Sequence, residues 1–470
     1  MSAINSLLSR TNRGRIAGIA LLVLAITAGG ASRKGGVIPH AVIEIASALI
    51  LLGIIWRARS DEYSRAAWVL VGIALLAISA TLAQLVPLPA SIWTELPGRD
   101  IAAAGFAALN APLPALPATL TPERTFAAVV GFLPPLAAFA IFARQASRQQ
   151  SIDFTWAAPI AAGASVLLGI AQIYGGPTSP LYLYAFTNRG FPVGFFANVN
   201  HQATLALMAA PFVAALIGQT RARAMSGHAE ASTWLFVIAL GFLVMLSAMI
   251  AGSFAGYVLL GPTLAACAFI ALGFSRSLNA TTGTALFAVV AALGGLGWFV
   301  ASSPALQSLG VTDLGTGPAS RVDLFARTGQ AVAAYFPFGS GLGSFERVYP
   351  IFEAAAPVGN IYAPHAHNDY LQVAMELGLP GILALAGVIL WWGVMTWRVW
   401  SAEISSDVRI RRAASVALGV VALHSIVDYP LRTAAIAVFA GACAGILAAP
   451  AVVKRRDILP NALPAKHVDL

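Results

Sequence analysis

Twelve stretches of about twenty apolar residues run through this chain, near 15–31, 37–56, 67–86, 124–143, 154–174, 201–218, 232–252, 255–274, 282–301, 379–398, 412–428 and 433–450. Each is long enough to cross a hydrocarbon layer roughly 30 Å thick as a helix. Within a bilayer every backbone N–H and C=O must be satisfied internally, so only helices or closed barrels span it. The runs are continuously apolar rather than alternating, which selects helices. The expected fold is therefore an all-α integral membrane protein of about 12 transmembrane helices. Only 10% of the residues are charged and 58% are hydrophobic, against about 25% charged in soluble domains. The formal charge of +9 then reads as loop positioning rather than nucleic-acid binding.

Placing the N-terminus in the cytoplasm gathers Arg57, Arg59, Arg65, Arg144, Arg148, Arg221, Arg223, Arg276, Arg398, Arg409, Arg411 and Arg412 on the inner side, with the tail "VVKRRD". The outer loops hold fewer basic residues, and this bias predicts both termini inside. The first run follows Arg10, Arg13 and Arg15 and reads as an anchor rather than a cleaved signal, since many similar runs come after it. The expected organisation is N-terminal membrane helices over 1–150, central helices over 151–301, an outer loop over 302–378, C-terminal helices over 379–450 and an inner tail over 451–470. Within the outer loop, "SRVDLFARTGQAVAAYF" has the pattern of an amphipathic helix lying along the membrane surface. Cys267 and Cys443 both sit in apolar runs, so no disulfide, zinc site or redox centre is expected.

One polar island interrupts this chain: "PHAHNDYLQVAME", Pro364 to Glu376. His365 and His367 lie just before a re-entering helix, and imidazole accepts a proton near neutrality. A bare pair of solvated loop histidines is the alternative, and a third metal ligand at suitable spacing is missing, so no metal is expected. Arg189, Arg321 and Arg432 fall at the same outer level, where guanidinium groups bind either phosphate oxygens or lipid headgroups. Asn198 and Asn200 stand with His201 at the start of the sixth run, one of them a natural N-cap. Asp428 precedes Arg432 by four residues, which suggests an ion pair between them, with His424 one turn earlier. The "GSGLGSF" stretch, Gly339 to Phe345, lacks the strand–helix context of a nucleotide loop and reads as a turn that lets backbone approach closely.

The stretch "PHAHNDYLQVAMELGLPG" resembles the signature of the O-antigen ligase and O-antigen polymerase superfamily, and "RGFPVGFFANVNHQATLALMAAP" and "RVDLFARTGQAVAAYFPFGSGLGSF" are similar to two further segments of it. The resemblance covers roughly 185–445, in the family's order. It implies a GT-C-type glycosyltransferase of the bacterial inner membrane, acting at the periplasmic face on an undecaprenyl-diphosphate-linked glycan. On that resemblance His367, Arg189 and Arg321 are the catalytic residues. His365, Asn368, Asn198, Asn200, Tyr370 and Arg432 contact substrate, while Glu376 and Asp428 are structural. Transfer would be inverting and metal-independent, with no cofactor. One departure is Phe254 in "AGSFAG", where the family often carries an arginine; Arg432 or Arg347 are the candidates to replace it. The acceptor is expected to be the lipid A core, as for a ligase, or a growing glycan, as for a polymerase of O-antigen, capsule or exopolysaccharide. A transporter is the contrasting class, and the internal repeats it would show are missing from the sequence.

Overall fold

A computed structural model describes residues 10–32, 36–57, 62–144, 148–228, 230–273, 321–353 and 363–450. The ninth apolar run, 282–301, the loop residues 302–320 and the tail expected over 451–470 lie outside the described residues, as do Arg33, Lys34, Arg59 and Arg276.

The protein is a multi-pass, all-helical membrane protein. The long helices are α1 (Arg10–Ala28), α2 (Val37–Arg57), α3 (Arg65–Ala83), α4 (Pro122–Val130), α5 (Leu133–Phe142), α6 (Arg148–Tyr174), α7 (Val199–Met225), α8 (Ala231–Ile250), α9 (Phe254–Leu272), α10 (Arg321–Tyr335), α11 (Asp369–Trp400), α12 (Ser406–His424) and α13 (Ala434–Ala448). Among the described residues, eight helical spans are long and apolar enough to cross a membrane, with α4 and α5 together forming one of them. The sole sheet among these residues is a two-stranded antiparallel pair, Pro87–Leu88 with Leu116–Pro117.

The centre of the bundle is α7, buried on nearly every side by α6, α8, α9 and α12. Its side chains suit that position: alanine, leucine and phenylalanine fill the packing, and buried Gln202 and Thr204 meet polar partners on the neighbouring helices. Gln202 accepts a hydrogen bond from Ser165 Oγ (2.6 Å) and donates to Ser247 Oγ (2.7 Å), tying α6 and α8 to α7. Phe142, Phe154, Phe212 and Phe439 meet edge-on with centroids 5.0–6.0 Å apart, the arrangement aromatic quadrupoles favour. This cluster joins α5, α6, α7 and α13.

At the other end of α12, Arg409, Arg411 and Arg412 do not simply face solvent. Arg409 Nε donates to Ile270 O, Arg411 Nη2 to Leu447 O, and Arg412 to Val399, Trp400 and Ala402 carbonyls. These are orphan acceptors near the C-terminal ends of α9, α13 and α11, where the helix dipole also favours a cation.

The segment expected to lie along the membrane surface is indeed helical, as α10. It packs against α11, burying Leu324, Thr328, Ala331 and Tyr335 in a small core with Phe345, Val348 and Met375. The residues between α3 and α4 dock on the same unit. Leu120 N donates to Ser340 O (2.9 Å), and buried Arg99 donates to the carbonyls of Ala118 and Gly339 beside the Tyr335 ring. Arg124 Nη1 pairs with Glu346 at 2.6 Å.

Candidate functional site

The site forms where α7, α11 and α13 begin and α12 ends. The helix α11 starts at Asp369, earlier than the run at 379–398 suggests, because Asn368 caps it: its side-chain oxygen accepts from Leu371 N at 3.0 Å. The helix kinks at Gly378, whose φ of +61° and ψ of −141° are open to glycine alone without strain. The "GSGLGSF" turn lies against that kink. Gly339 and Gly378 meet backbone to backbone, with no room for a Cβ on either. Ser340 N donates to Met375 O and Gly341 N to Glu376 O. Gln84, from the end of α3, bridges Phe338 O, Glu376 O and Leu342 N. The close-approach reading of this glycine stretch therefore describes a support beneath the histidine loop.

Glu376 is the hub of that support and is fully buried. Its Oε1 accepts from Phe345 N (3.2 Å) and Gln372 Nε2 (2.9 Å), and its Oε2 lies 3.5 Å from Arg432 Nη1. Gln372 in turn accepts from Ala366 N (3.1 Å) and reaches His365 Nδ1 (3.4 Å), so the loop between the two histidines hangs from the helix that follows it. Arg432 Nε also pairs with Asp369 at 3.1 Å. The expected Asp428–Arg432 pair is therefore corrected: the cation is held by Asp369 and Glu376. The chain leaves helix after His424, so a four-residue spacing no longer places 428 and 432 on one face.

Asp428 instead faces His367. Its Oδ1 accepts from Tyr429 N (2.9 Å) and lies 3.2 Å from His367 Nδ1, and its side chain is fully buried. The His367 contact is off the axis of a hydrogen bond. His367 itself has φ +48°, a left-handed conformation that a non-glycine residue adopts only when its surroundings impose it. Tyr429 lies among three imidazoles, with centroids 4.4 Å from His365, 4.7 Å from His367 and 5.2 Å from His201. Asn198 meets the Tyr429 hydroxyl, and the Asn200 carbonyl accepts from Thr204 Oγ1 at 2.9 Å. Tyr370 donates its hydroxyl to Ala422 O (2.8 Å), bracing α11 on α12.

The two expected catalytic arginines differ in placement. Arg321 opens α10, half-buried, and its charge acts on both His424 and Tyr429. Arg189 is exposed on the 175–198 loop, where it stacks over Tyr182 and donates to Pro177 O (3.1 Å). That loop is pinned beside the site by buried polar groups: Gln172 bridges Leu181 O, Gly194 O and Gly194 N, and Ala197 N donates to Gly30 O. Arg347 is exposed, and Arg432 carries two carboxylates. Asp369, Gln372 and Tyr429 were not singled out in the sequence. The one signal for them was polarity, or an aromatic, inside otherwise apolar text.

Burial raises the cost of charging Asp428, but His367, His201 and His424 outweigh it and hold the carboxyl below its usual range. His365 is pushed well below its ordinary value by burial, then by the Arg432, His367 and His201 charges, against Asp428. The sign for stability follows. Below about pH 6.5 the unfolded chain protonates His365 while the folded chain does not, so the unfolded state gains. The detergent-solubilised protein should thus lose stability as the pH falls from about 6.5 toward the folded value. His365→Gln should flatten that part of the profile in a pH series of thermal unfolding; an unchanged slope contradicts the assignment.

No curated protein matches the chain significantly. Residues 239–386 match a family model described as O-antigen ligase. The matched span includes His365, His367, Gln372 and Glu376 and ends before Asp428 and Arg432. That match spans under a third of the chain, and over this span the chain is similar to the O-antigen ligase family.

Proposed function

We propose that this protein moves a glycan from an undecaprenyl-diphosphate carrier onto an acceptor hydroxyl, with the lipid A core as the first candidate acceptor. The observation that carries this reading is His367, held in a left-handed backbone conformation with buried Asp428 behind its Nδ1. The carboxylate favours the Nδ1–H tautomer and leaves Nε2 as the base. Nε2 takes the acceptor proton as the acceptor oxygen bonds to the anomeric carbon. The bond from that carbon to the carrier phosphate breaks, and its electron pair leaves with the diphosphate. Attack opposite the leaving group inverts the anomeric carbon. The diphosphate is itself a good leaving group, so the reading routes no step through a metal.

Arg321 is the better placed of the two arginines to meet the developing phosphate charge, and Arg189 serves at the rim. Removing one preorganised donor to such a charge commonly costs about 10²–10³ in kcat. Arg321→Ala should therefore fall by about that factor, and Arg189→Ala by less, in a membrane assay with purified lipid-linked donor. Equal, small effects would return both to headgroup contacts. Arg432, already neutralised by two carboxylates, acts in this reading by holding the site together.

The arginine bias of the loops supports placing the site on the periplasmic side of the inner membrane. Ligase and polymerase share donor and chemistry and differ in acceptor. Deleting the gene separates them. Accumulation of long lipid-linked chains supports ligation. Single repeat units still joined to lipid A support the polymerase reading instead.

A further inference from the structure

Behind Asp428 lies a set of buried polar atoms that the reaction above does not use. Asp428 Oδ2, both ring nitrogens of His201 and Nε2 of His424 have no hydrogen-bond partner among the described residues, although His201 is 2% exposed and His424 and Asp428 are 0% exposed. Buried groups of this kind are nearly always satisfied in folded proteins.

The tautomers can be assigned by counting hydrogens. Thr204 donates its one hydroxyl hydrogen to the Asn200 carbonyl (2.9 Å), which can only accept. Its oxygen, 2.8 Å from His424 Nδ1, therefore accepts from that nitrogen. Neutral His424 is then protonated on Nδ1, and its Nε2 is a bare acceptor. Asp428 Oδ2 is a second acceptor. Neutral His201 supplies one N–H donor and one further acceptor. A water molecule matches this set. It donates to Asp428 Oδ2 and His424 Nε2 and accepts from His201 N–H, within the two to four partners a buried water needs. Among the described residues, no three His, Cys, Asp or Glu side chains converge as a metal ion would require.

We propose that His201, His424 and Asp428 Oδ2 enclose a buried water site that completes the hydrogen bonding of the carboxylate behind His367, with His201 and His424 as positioning residues. This inference rests on the reading of His367 as the base. Its consequence is that both Asp428 oxygens are satisfied: Oδ1 by Tyr429 N, Oδ2 by the water. A carboxylate bonded on both oxygens stays ionised in a buried place and offsets the positive charge that His367 gains when Nε2 takes the acceptor proton. The charged and titratable groups facing Asp428 are His201 from α7, His365 and His367 from the loop, Asp369 from α11, His424 from its own chain segment, and Tyr429 beside it. Arg321 acts on the cluster through His424 and Tyr429, and Arg432 through His365 and Asp369.

The test uses the full-length protein in detergent with purified lipid-linked donor. His201→Phe removes the donor to the water, and His201→Gln keeps an N–H. With this support lost, the Asp428 carboxylate draws more strongly on the proton at His367 Nδ1, so the acid limb of the kcat/KM profile moves upward. For His201→Phe the expected result is a limb about one pH unit higher, and a kcat about tenfold lower, the scale of effect seen when an outer support is removed. The donor KM should not change, and His201→Gln should restore both properties. A His424→Phe variant should shift the limb in the same direction. If His201→Phe folds, as its size-exclusion profile and unfolding temperature report, and its acid limb stays at the wild-type position, the water site is overturned. If His201→Phe does not fold, His201→Gln and His424→Phe decide: an unmoved limb in His424→Phe overturns the proposal. If His367→Ala itself turns over at the wild-type rate, the base reading fails first, and that outcome is distinct from a silent His201→Phe in a protein that needs His367.

Discussion

His367→Ala should abolish most glycan transfer while leaving the protein folded. General-base assistance typically contributes about 10²–10⁴ in rate, so turnover of a purified lipid-linked donor should fall within that range. The side chain is a quarter exposed and lies at the end of a loop, so its loss removes little packing. Relief of the φ of +48° at this position is not expected, since alanine meets the same backbone conformation. His367→Gly accepts that conformation more readily and should be at least as stable as His367→Ala, yet equally inactive. This pair separates chemistry from folding. Wild-type turnover in either variant would remove the base assignment.

Glu376→Ala should act in the opposite manner, through stability. Glu376 is fully buried and joins Phe345 N, Gln372 Nε2 and Arg432 Nη1. Its removal leaves a buried backbone N–H and an amide without their acceptor and takes one of two carboxylates from a guanidinium. Unsatisfied buried groups cost about 1–3 kcal/mol each, and breaking a buried ion pair about 3–5. Asp369 still holds Arg432 at 3.1 Å, so about 3 kcal/mol is the expected loss. Glu376→Gln keeps an acceptor for Phe345 N and should lose less. An apparent unfolding temperature that falls for Ala, and by a smaller amount for Gln, supports the hub. Equal temperatures for all three proteins contradict it.

The membrane helices were readable because bilayer thickness leaves few choices. The expected run at 37–56 is α2 to within a residue and that at 232–252 is α8 to within two, while 154–174 ends with α6 but begins six residues inside it. Breaks were harder to place. The run at 124–143 is divided into α4 and α5 at Gly131–Phe132, and α11 kinks at Gly378, since backbone φ is not a property of hydrophobic pattern. At the site, His365, His367, Asn368 and Glu376 were legible together because they stand on one short stretch. What joins them to the rest was not. The Asp428–His367 contact spans 61 positions of sequence, from 367 to 428, and depends on how α11 and α12 pack. The four-residue spacing of Asp428 and Arg432 misled because it implies one helical face only within a helix, and the chain turns there instead. Gln372 looked like an ordinary helix residue; its importance comes from the Ala366 and Glu376 groups that the fold presents to it.

The central claim is a glycosyl transfer from a diphosphate-linked lipid, and it is tested most directly with purified wild-type protein in nanodiscs, a defined undecaprenyl-diphosphate oligosaccharide and a lipid A core acceptor. The account predicts release of undecaprenyl diphosphate together with an acceptor–glycan product whose anomeric configuration is inverted relative to the donor. Glycan appearing on the acceptor with retained configuration, or donor left intact in the presence of every hydroxyl acceptor supplied, would contradict it.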